Sequence, residues 1–482
     1  MKARQALAYF ILFFLLSPFL ILIWKFPLHP HFDMNEFFWA LKNTFIQASL
    51  SAAGSLILGT WAALGLISMG PKVRKMLEVI CLAPNFLPPL FTLLIAFYWV
   101  DPFPTGVIGV ALIHSMINFG LVGVSLSRSI ETKLGRMADL AVVEGSTRFH
   151  FLKKVFVPTL KNDYAELFLF IFSVCFASFS IPLIVGGGKG TTLEVLVYEK
   201  IRLSMDWSGA VIISILQLVI LAFLVRWFVR LKTPVGENPR QVRWLGFKSG
   251  AWMIILFAIL FLIGYLDSVI AGAQAAVQLL DWKDGLLKGT AGTLFVGFST
   301  GGLILFLLMS ITLSMGFPWL RLWLKSYMAP STTLTGFAFL VFGPNEGVFS
   351  YFKIPCALAL LFCGTIYRMG WEGEVQRLAG QMATAEIFGA TPWATFRWVL
   401  WPQVRVRALL LAGLAAAWAC GDFALSRILA YNDMTLALMT ETLMSTYRLG
   451  LASFLSVGVL LSALFCFFTF WGFGYVDRRK SS

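Results

Sequence analysis

Apolar residues in this chain fall into long, nearly unbroken runs rather than the short alternating or one-faced patterns of soluble elements. Twelve such runs lie near 6–24, 44–68, 79–100, 106–127, 164–186, 209–229, 250–272, 290–315, 331–343, 354–369, 407–428 and 450–474. A bilayer-crossing helix needs about 20 mostly apolar residues. The pattern therefore predicts an all-α, polytopic membrane protein with about 12 transmembrane helices. The run at 331–343 is the shortest and is weakly marked, since it holds Thr332, Thr333, Thr335 and Gly336 and stops at Gly343-Pro344-Asn345-Glu346-Gly347.

Composition sharpens the picture. Of 482 residues, 59% are apolar and 13% charged, about half the charged fraction of soluble domains. That excludes a soluble enzyme, a disordered chain and a disulfide-stapled secreted domain. The net charge of +14 raises the question of nucleic acid, but its placement answers it. With the N-terminus inside, the Lys and Arg excess falls on the inner segments and the outer ones are slightly acidic, the positive-inside signature. Lipid is the expected surroundings, no nucleic acid is expected, and both termini are expected to be cytoplasmic. The six cysteines lie in or beside apolar runs without a CxxC pair, as small core residues do. The leading run is too long for a signal-peptide core and ends at Trp24-Lys25-Phe26-Pro27 with no small-residue cleavage site, so it reads as an uncleaved helix.

The chain is also one pattern written twice. Asp139-Leu140-Ala141, then Gly145, then Pro158 answers to Ala383-Thr384-Ala385, Gly389 and Pro402, each at an offset of 244 residues. Phe179 and Phe423 share the offset, and Thr192-Leu193 answers to Thr435-Leu436 at 243. Six spans per copy return the chain to its starting side, so the copies form two parallel six-helix repeats rather than inverted ones. The boundary falls in the polar junction near residue 240, giving halves 1–240 and 241–482.

Both copies of the pattern sit in the longest inner loop of their half, 128–163 and 370–406. Small or acidic residues, a glycine and a closing hydrophobic-x-hydrophobic-Pro (Val155-Phe156-Val157-Pro158 and Val399-Leu400-Trp401-Pro402) resemble the EAA loop of binding-protein-dependent ABC importer permeases. The resemblance implies a coupling helix in each half that docks on one of two ATPase subunits. It assigns that role to Asp139, Ala141, Gly145 and Pro158 in the first half, and to Ala383, Ala385, Gly389 and Pro402 in the second. The residues suit it: alanines permit close approach, Gly145 and Gly389 can take positive φ, and the prolines suit a helix start. Asp139 stands for the glutamate of the pattern, and Ala383 removes the acid altogether, so docking by the two halves is expected to differ. It also implies a bacterial inner membrane and a periplasmic solute-binding protein.

No cofactor is expected in this chain. Gly186-Gly187-Gly188-Lys189-Gly190-Thr191-Thr192 imitates a phosphate loop, but Gly190 stands where Ser or Thr must follow the lysine. ATP and Mg²⁺ are expected on the partner ATPase. No catalytic constellation and no metal site are expected. His29-Pro30-His31 with Asp33 and Glu36 reads as a solvated outer loop.

For the cargo, Cys175-Phe176-Ala177-Ser178-Phe179, Thr191-Thr192-Leu193-Glu194-Val195 and Gly421-Asp422-Phe423-Ala424 with Asn432-Asp433 resemble the fused permeases of bacterial thiamine importers. Fused ferric-iron permeases share the layout and are the alternative. Candidate pathway residues are Phe176, Ser178, Phe179, Asp422 and Phe423. An acid inside a span suggests a pathway or a buried pair, and two readings stand for Asp422. It attracts a cationic solute on which the phenylalanines stack, or it pairs with Arg427 or caps a broken helix. His114 and Asn118, one turn apart, suit interhelical hydrogen bonds. A duplicated ion-coupled secondary transporter is the rival from another class, with Asp422 its only support.

Overall fold

The computed structural model describes residues 2–26, 33–228, 240, 242–275, 283–314, 319–320, 324, 331–342, 348–429 and 435–476. Among them every regular element is helical. In chain order the principal helices are α1 (Lys2–Lys25), α2 (Met34–Ser68), α3 (Pro71–Phe86), α4 (Pro89–Trp99), α5 (Val107–Val143) and α6 (Val157–Phe176). They continue with α7 (Leu193–Arg202), α8 (Trp207–Phe228), α9 (Lys248–Ala275), α10 (Lys283–Ser314) and α11 (Thr332–Val341). The last are α12 (Val348–Ile366), α13 (Glu372–Ile387), α14 (Trp401–Cys420), α15 (Leu436–Ser445) and α16 (Leu449–Val476).

The membrane-spanning character holds, but not as twelve unbroken rods. Among the described residues eight helices are long and apolar enough to cross a bilayer, or ten if each of two bent pairs counts once. The run at 79–100 is α3 and α4 meeting at 98°. Pro84 lies inside α3, and Pro88-Pro89 opens α4, where two successive residues lack an N–H to continue the ladder. The run at 354–369 becomes α12, which turns by 66° into α13. The latter is charged at Glu372, Glu374 and Arg377 and leaves the apolar layer. The run at 331–343 shrinks to the ten residues of α11, about 15 Å at 1.5 Å per residue, half a bilayer core. The run at 164–186 breaks after Phe176 and resumes as Ser180–Val185. The run at 407–428 breaks likewise, after Cys420, and resumes as Ala424–Leu429. The loops 128–163 and 370–406 are themselves mostly helical, because α5 runs to Val143 and α13 to Ile387.

By packing, the chain forms two compact units that interleave along the sequence. One comprises Asp33–Val195 and Val219–Ile270; the other comprises Met1–Phe32, Leu196–Leu218 and Ala271–Ser482. The compact units thus divide the chain differently from the halves 1–240 and 241–482. In the first unit α2 and α5 pack closely where side chains are small: a Cβ on Gly59 would strike Val122, and one on Gly123 would strike Ala62. Small-residue seams of this kind let helix backbones approach inside a bilayer, where lipid offers no hydrophobic drive. Helix α9 lies on α2 through Gly65 and Gly250, and the Trp61 indole donates to Ser249 Oγ at 3.2 Å. In the second unit Ala8, Ile11 and Leu15 of α1 pack with Ile304, Leu307 and Ile311 of α10. Cys420 and Cys466 close over Gly297 there. All six cysteines are free thiols and five are buried, as small core residues would be.

Candidate functional site: two elbows and two span breaks

Each repeat carries an elbow whose backbone follows the same course. In the first, α5 ends at Val143, the Ser146 N–H reaches back to the Ala141 carbonyl at 2.8 Å, and Gly145 takes φ +70°. In the second, α13 ends at Ile387, the Ala390 N–H reaches the Ala385 carbonyl at 2.9 Å, and Gly389 takes φ +76°. This is the left-handed helix stop that satisfies a last-turn carbonyl. A Cβ on either glycine would meet nothing within 4 Å, so the requirement is for positive φ and not for space. Thr147 Oγ1 then accepts the His150 N–H at 3.3 Å, and Thr391 Oγ1 accepts the Ala394 N–H at 3.2 Å, which caps the next turn. A wide π-type turn follows in each, over Leu152–Phe156 and Thr395–Leu400. The return helices α6 and α14 carry Pro158 and Pro402 in their first turn. The threonine caps escaped the sequence reading, although both lie at the 244-residue offset.

The side chains differ more than the backbone. Asp139 is exposed and pairs with Arg240 Nη1 at 3.4 Å. Ala141 is nearly covered and joins a core of Ala138, Phe151, Phe156 and Leu160 with Val242 and Leu245; its small size serves the elbow's own packing. Ala383 is exposed and Ala385 half-buried. The first tip is basic, with Arg148, Lys153 and Lys154 exposed beside Val143 and Phe149. The second is aromatic: Phe388, Trp393 and Trp398 are exposed, and Arg397 lies over the Trp398 ring at 5.2 Å.

An ion pair joins the two arms of each elbow at its base. Lys133 Nζ on α5 meets both oxygens of Asp163 on α6, at 2.9 and 2.8 Å, with each side chain 9% exposed. In the second elbow Arg407 on α14 meets Glu374 on α13 at 2.5 Å, and Arg377 adds a contact at 2.8 Å. Partial burial opposes ionisation of Glu374, but hydrogen bonds and charge from Arg377 and Arg407 outweigh it and hold its carboxyl below the usual carboxylate range.

The span breaks form the second shared feature. Ser178 and Asp422, the mates at the two breaks, are the partly exposed members of the pathway set; Phe176, Phe179 and Phe423 are buried. The Phe176 ring packs edge-on to Phe45 at 5.3 Å and in this conformation has no face open to a solute. Ser178 Oγ lies 3.0 Å from His114 Nε2, and His114 Nδ1 lies 3.4 Å from Ser51 Oγ on α2. Asn118 donates to the His114 carbonyl at 2.9 Å and faces Cys175 Sγ. His114 therefore makes the interhelical bonds expected of it. Asp422 Oδ2 accepts the N–H groups of Leu425 and Ser426 at 3.0 and 3.4 Å. Of the structural readings for Asp422, helix capping is made; Arg427 pairs instead with Glu441 at 3.0 Å. Beside each break a threonine from the preceding long helix caps the following one. Thr44 Oγ1 accepts from Leu193 and Thr293 Oγ1 from Leu436, both at 2.9 Å.

Among the described residues no group of His, Cys, Asp or Glu is arranged to hold a metal ion. The motifs at His29-Pro30-His31, Gly343–Gly347 and Asn432-Asp433, and most of the junction before residue 240, lie outside the described residues.

Repeated elbows joining apolar helices define a class, a helical membrane protein built on a duplicated pattern. Residues 55–234, which include the first elbow and the first span break, match the model of the family described as the binding-protein-dependent transport system inner membrane component. The chain is 27% identical over 244 residues to the thiamine transport system permease protein ThiP of Escherichia coli strain K12, a match covering 46% of each chain. It is 25% identical over 224 residues to the protein of that name in Salmonella typhimurium, covering 42% of each. These matches therefore span less than half the length of those relatives. With the Brucella abortus strain 2308 protein the match is 23% over 403 residues, 74% of this chain and 70% of the relative. No solved structure matches. Its long apolar helices make the chain a multi-pass membrane protein, similar over these stretches to transport permeases.

Proposed function

We propose that this chain is the membrane-spanning subunit of an ABC importer for thiamine in a bacterial inner membrane. A periplasmic binding protein delivers the cargo to the outer segments near 187–207 and 429–448. Two copies of a separate ATPase, which hold the ATP and Mg²⁺, dock at the elbows around Gly145 and Gly389. Both termini face the cytoplasm, and the two parallel repeats 1–240 and 241–482 supply both halves of the pathway, so no second permease is needed.

The observation that supports this reading is the repetition of the elbow. The same backbone course, with exposed apolar side chains at its tip, occurs once per half. A symmetric pair of motor subunits needs two such grips, whereas an ion-coupled carrier has no use for them. When the ATPase pair closes, each elbow is displaced with the two helices it joins, α5 with α6 and α13 with α14, and access alternates. Cargo rests on the thiamine relatives and on a pathway whose carboxylate, Asp422, suits a cation.

Uptake of labelled thiamine and of labelled ferric iron, with and without the gene, tests it. Loss of thiamine uptake alone is expected. Loss of iron uptake alone would replace the cargo and leave the permease intact. Purification with the ATPase should return one chain to two ATPase subunits; a ratio of one to one breaks the two-grip reading.

A further inference from the structure

An elbow transmits a push to its spans only if its two arms cannot scissor. We infer that the ion pairs Lys133–Asp163 and Glu374–Arg407 lock the arms of each elbow into one rigid lever, and that this lock couples ATP hydrolysis to span movement without taking part in docking. The inference rests on the permease reading above.

The placement is the first support. Asp163 and Arg407 stand at the same point of their return helices, six residues after Val157 and Trp401, and 244 residues apart. Lys133 and Arg377 share that offset on the incoming arms, and Glu374 lies one helical turn before Arg377. From Lys133 to the Gly145 turn is about 18 Å of helix at 1.5 Å per residue. The pair therefore sits well behind the tip that a partner would touch.

The sign of the charges is the second support. In the first elbow the incoming arm supplies the cation and the return arm the anion; in the second the signs are reversed. Docking two identical ATPase subunits would favour the same sign at equivalent positions. Joining two arms needs only opposite signs within each elbow, and that is what both copies keep. The third support is local packing. Gly370, at the bend between α12 and α13, takes φ +120°, and a Cβ there would run into the Arg407 guanidinium. The bend is thus shaped around the arginine that forms the lock.

The test uses the full chain reconstituted in liposomes with its ATPase and binding protein. Spin labels at Met137 and Lys161, both exposed on opposite arms of the first elbow, report the arm-to-arm distance and need no cargo. In Lys133→Ala the ATPase should stay bound and hydrolyse ATP, the distance distribution should widen, and thiamine moved per ATP should fall about tenfold, within the range that single residues exert on coupling. The reversed pair, Lys133→Asp with Asp163→Lys, should restore the narrow distribution and the coupling. Unchanged coupling, an unchanged distribution or loss of the ATPase in Lys133→Ala each overturns the inference. Should that variant not fold, Glu374→Ala, at a more exposed pair, carries the same measurements with labels at Gln381 and Gln403. A wild-type complex that holds no ATPase would instead sink the permease reading itself.

Discussion

The two elbows share a backbone and differ in chemistry. The first is held by an ion pair with both side chains 9% exposed, whereas in the second Arg407 remains 47% exposed. The first ties its acid, Asp139, to Arg240 at the end of the same half; the second has Ala383 at that place. One tip is basic and the other aromatic. Duplication has kept what the turn geometry demands, a glycine at positive φ and a threonine cap. It has let side chains drift wherever only pairing or apolarity matters. Burial then decides how much each version contributes.

The largest predicted difference follows. Removing one partner of a buried pair leaves the other uncompensated at a cost of about 3–5 kcal/mol, whereas exposed pairs contribute about 0.2–1 kcal/mol. Asp163→Ala should therefore destabilise its elbow several-fold more than Glu374→Ala. Hydrogen exchange of 133–163 and of 372–407 in detergent measures both; equal losses would erase the contrast. Next in size are the glycines. Left-handed φ costs an L-residue about 1–2 kcal/mol. Neither Gly145 nor Gly389 has a neighbour that a methyl would meet, so Gly145→Ala and Gly389→Ala should lose similar stability in thermal unfolding. A marked inequality would mean that one elbow does not need its turn.

These contrasts were legible in the sequence to different depths. Gly145, Gly389, Pro158 and Pro402 were found because their types are dictated by backbone geometry and survive as identities at a fixed offset. The locks were not, since Asp163 aligns with Arg407 and a comparison by identity discards a pair whose signs are swapped. Hydropathy found the membrane segments but not their breaks. Ala177-Ser178-Phe179 contains no helix breaker, and the run stays apolar while the helix stops. Pro84 and Pro88-Pro89 were visible, yet a hydropathy window averages over them. The exchange of α1 and α9 between units was hidden for another reason. Apolar burial is non-directional, and a span's composition does not name its neighbour.

The span breaks repeat the contrast on a smaller scale. Asp422 caps its short helix with its own carboxylate, whereas Ser178 is held by His114. Losing a cap costs about 1 kcal/mol, and Asn caps as well as Asp. Asp422→Ala should lower stability by about that amount, while Asp422→Asn should not, as thermal unfolding would show. The asparagine variant thus separates the cap from the charge. If thiamine uptake falls in it while stability holds, the carboxylate meets the cation; unchanged uptake leaves Asp422 a cap alone.

The smallest effect is a pH dependence confined to the second elbow. Because Arg377 and Arg407 hold the Glu374 pKa below its ordinary value of 4.5, the folded state binds its proton less readily than the unfolded chain. By linkage this contribution is fully present above about pH 4.5 and is lost as pH falls through the depressed folded value. Proteolytic protection of 372–407 should therefore be flat near neutrality and decline in acid. The gap between wild type and Glu374→Gln should be widest near neutral pH and close in acid as the wild-type carboxyl takes up its proton. A gap that instead widens on acidification would show that the glutamate is not held ionised by the two arginines, and that the second elbow is fastened by something other than charge.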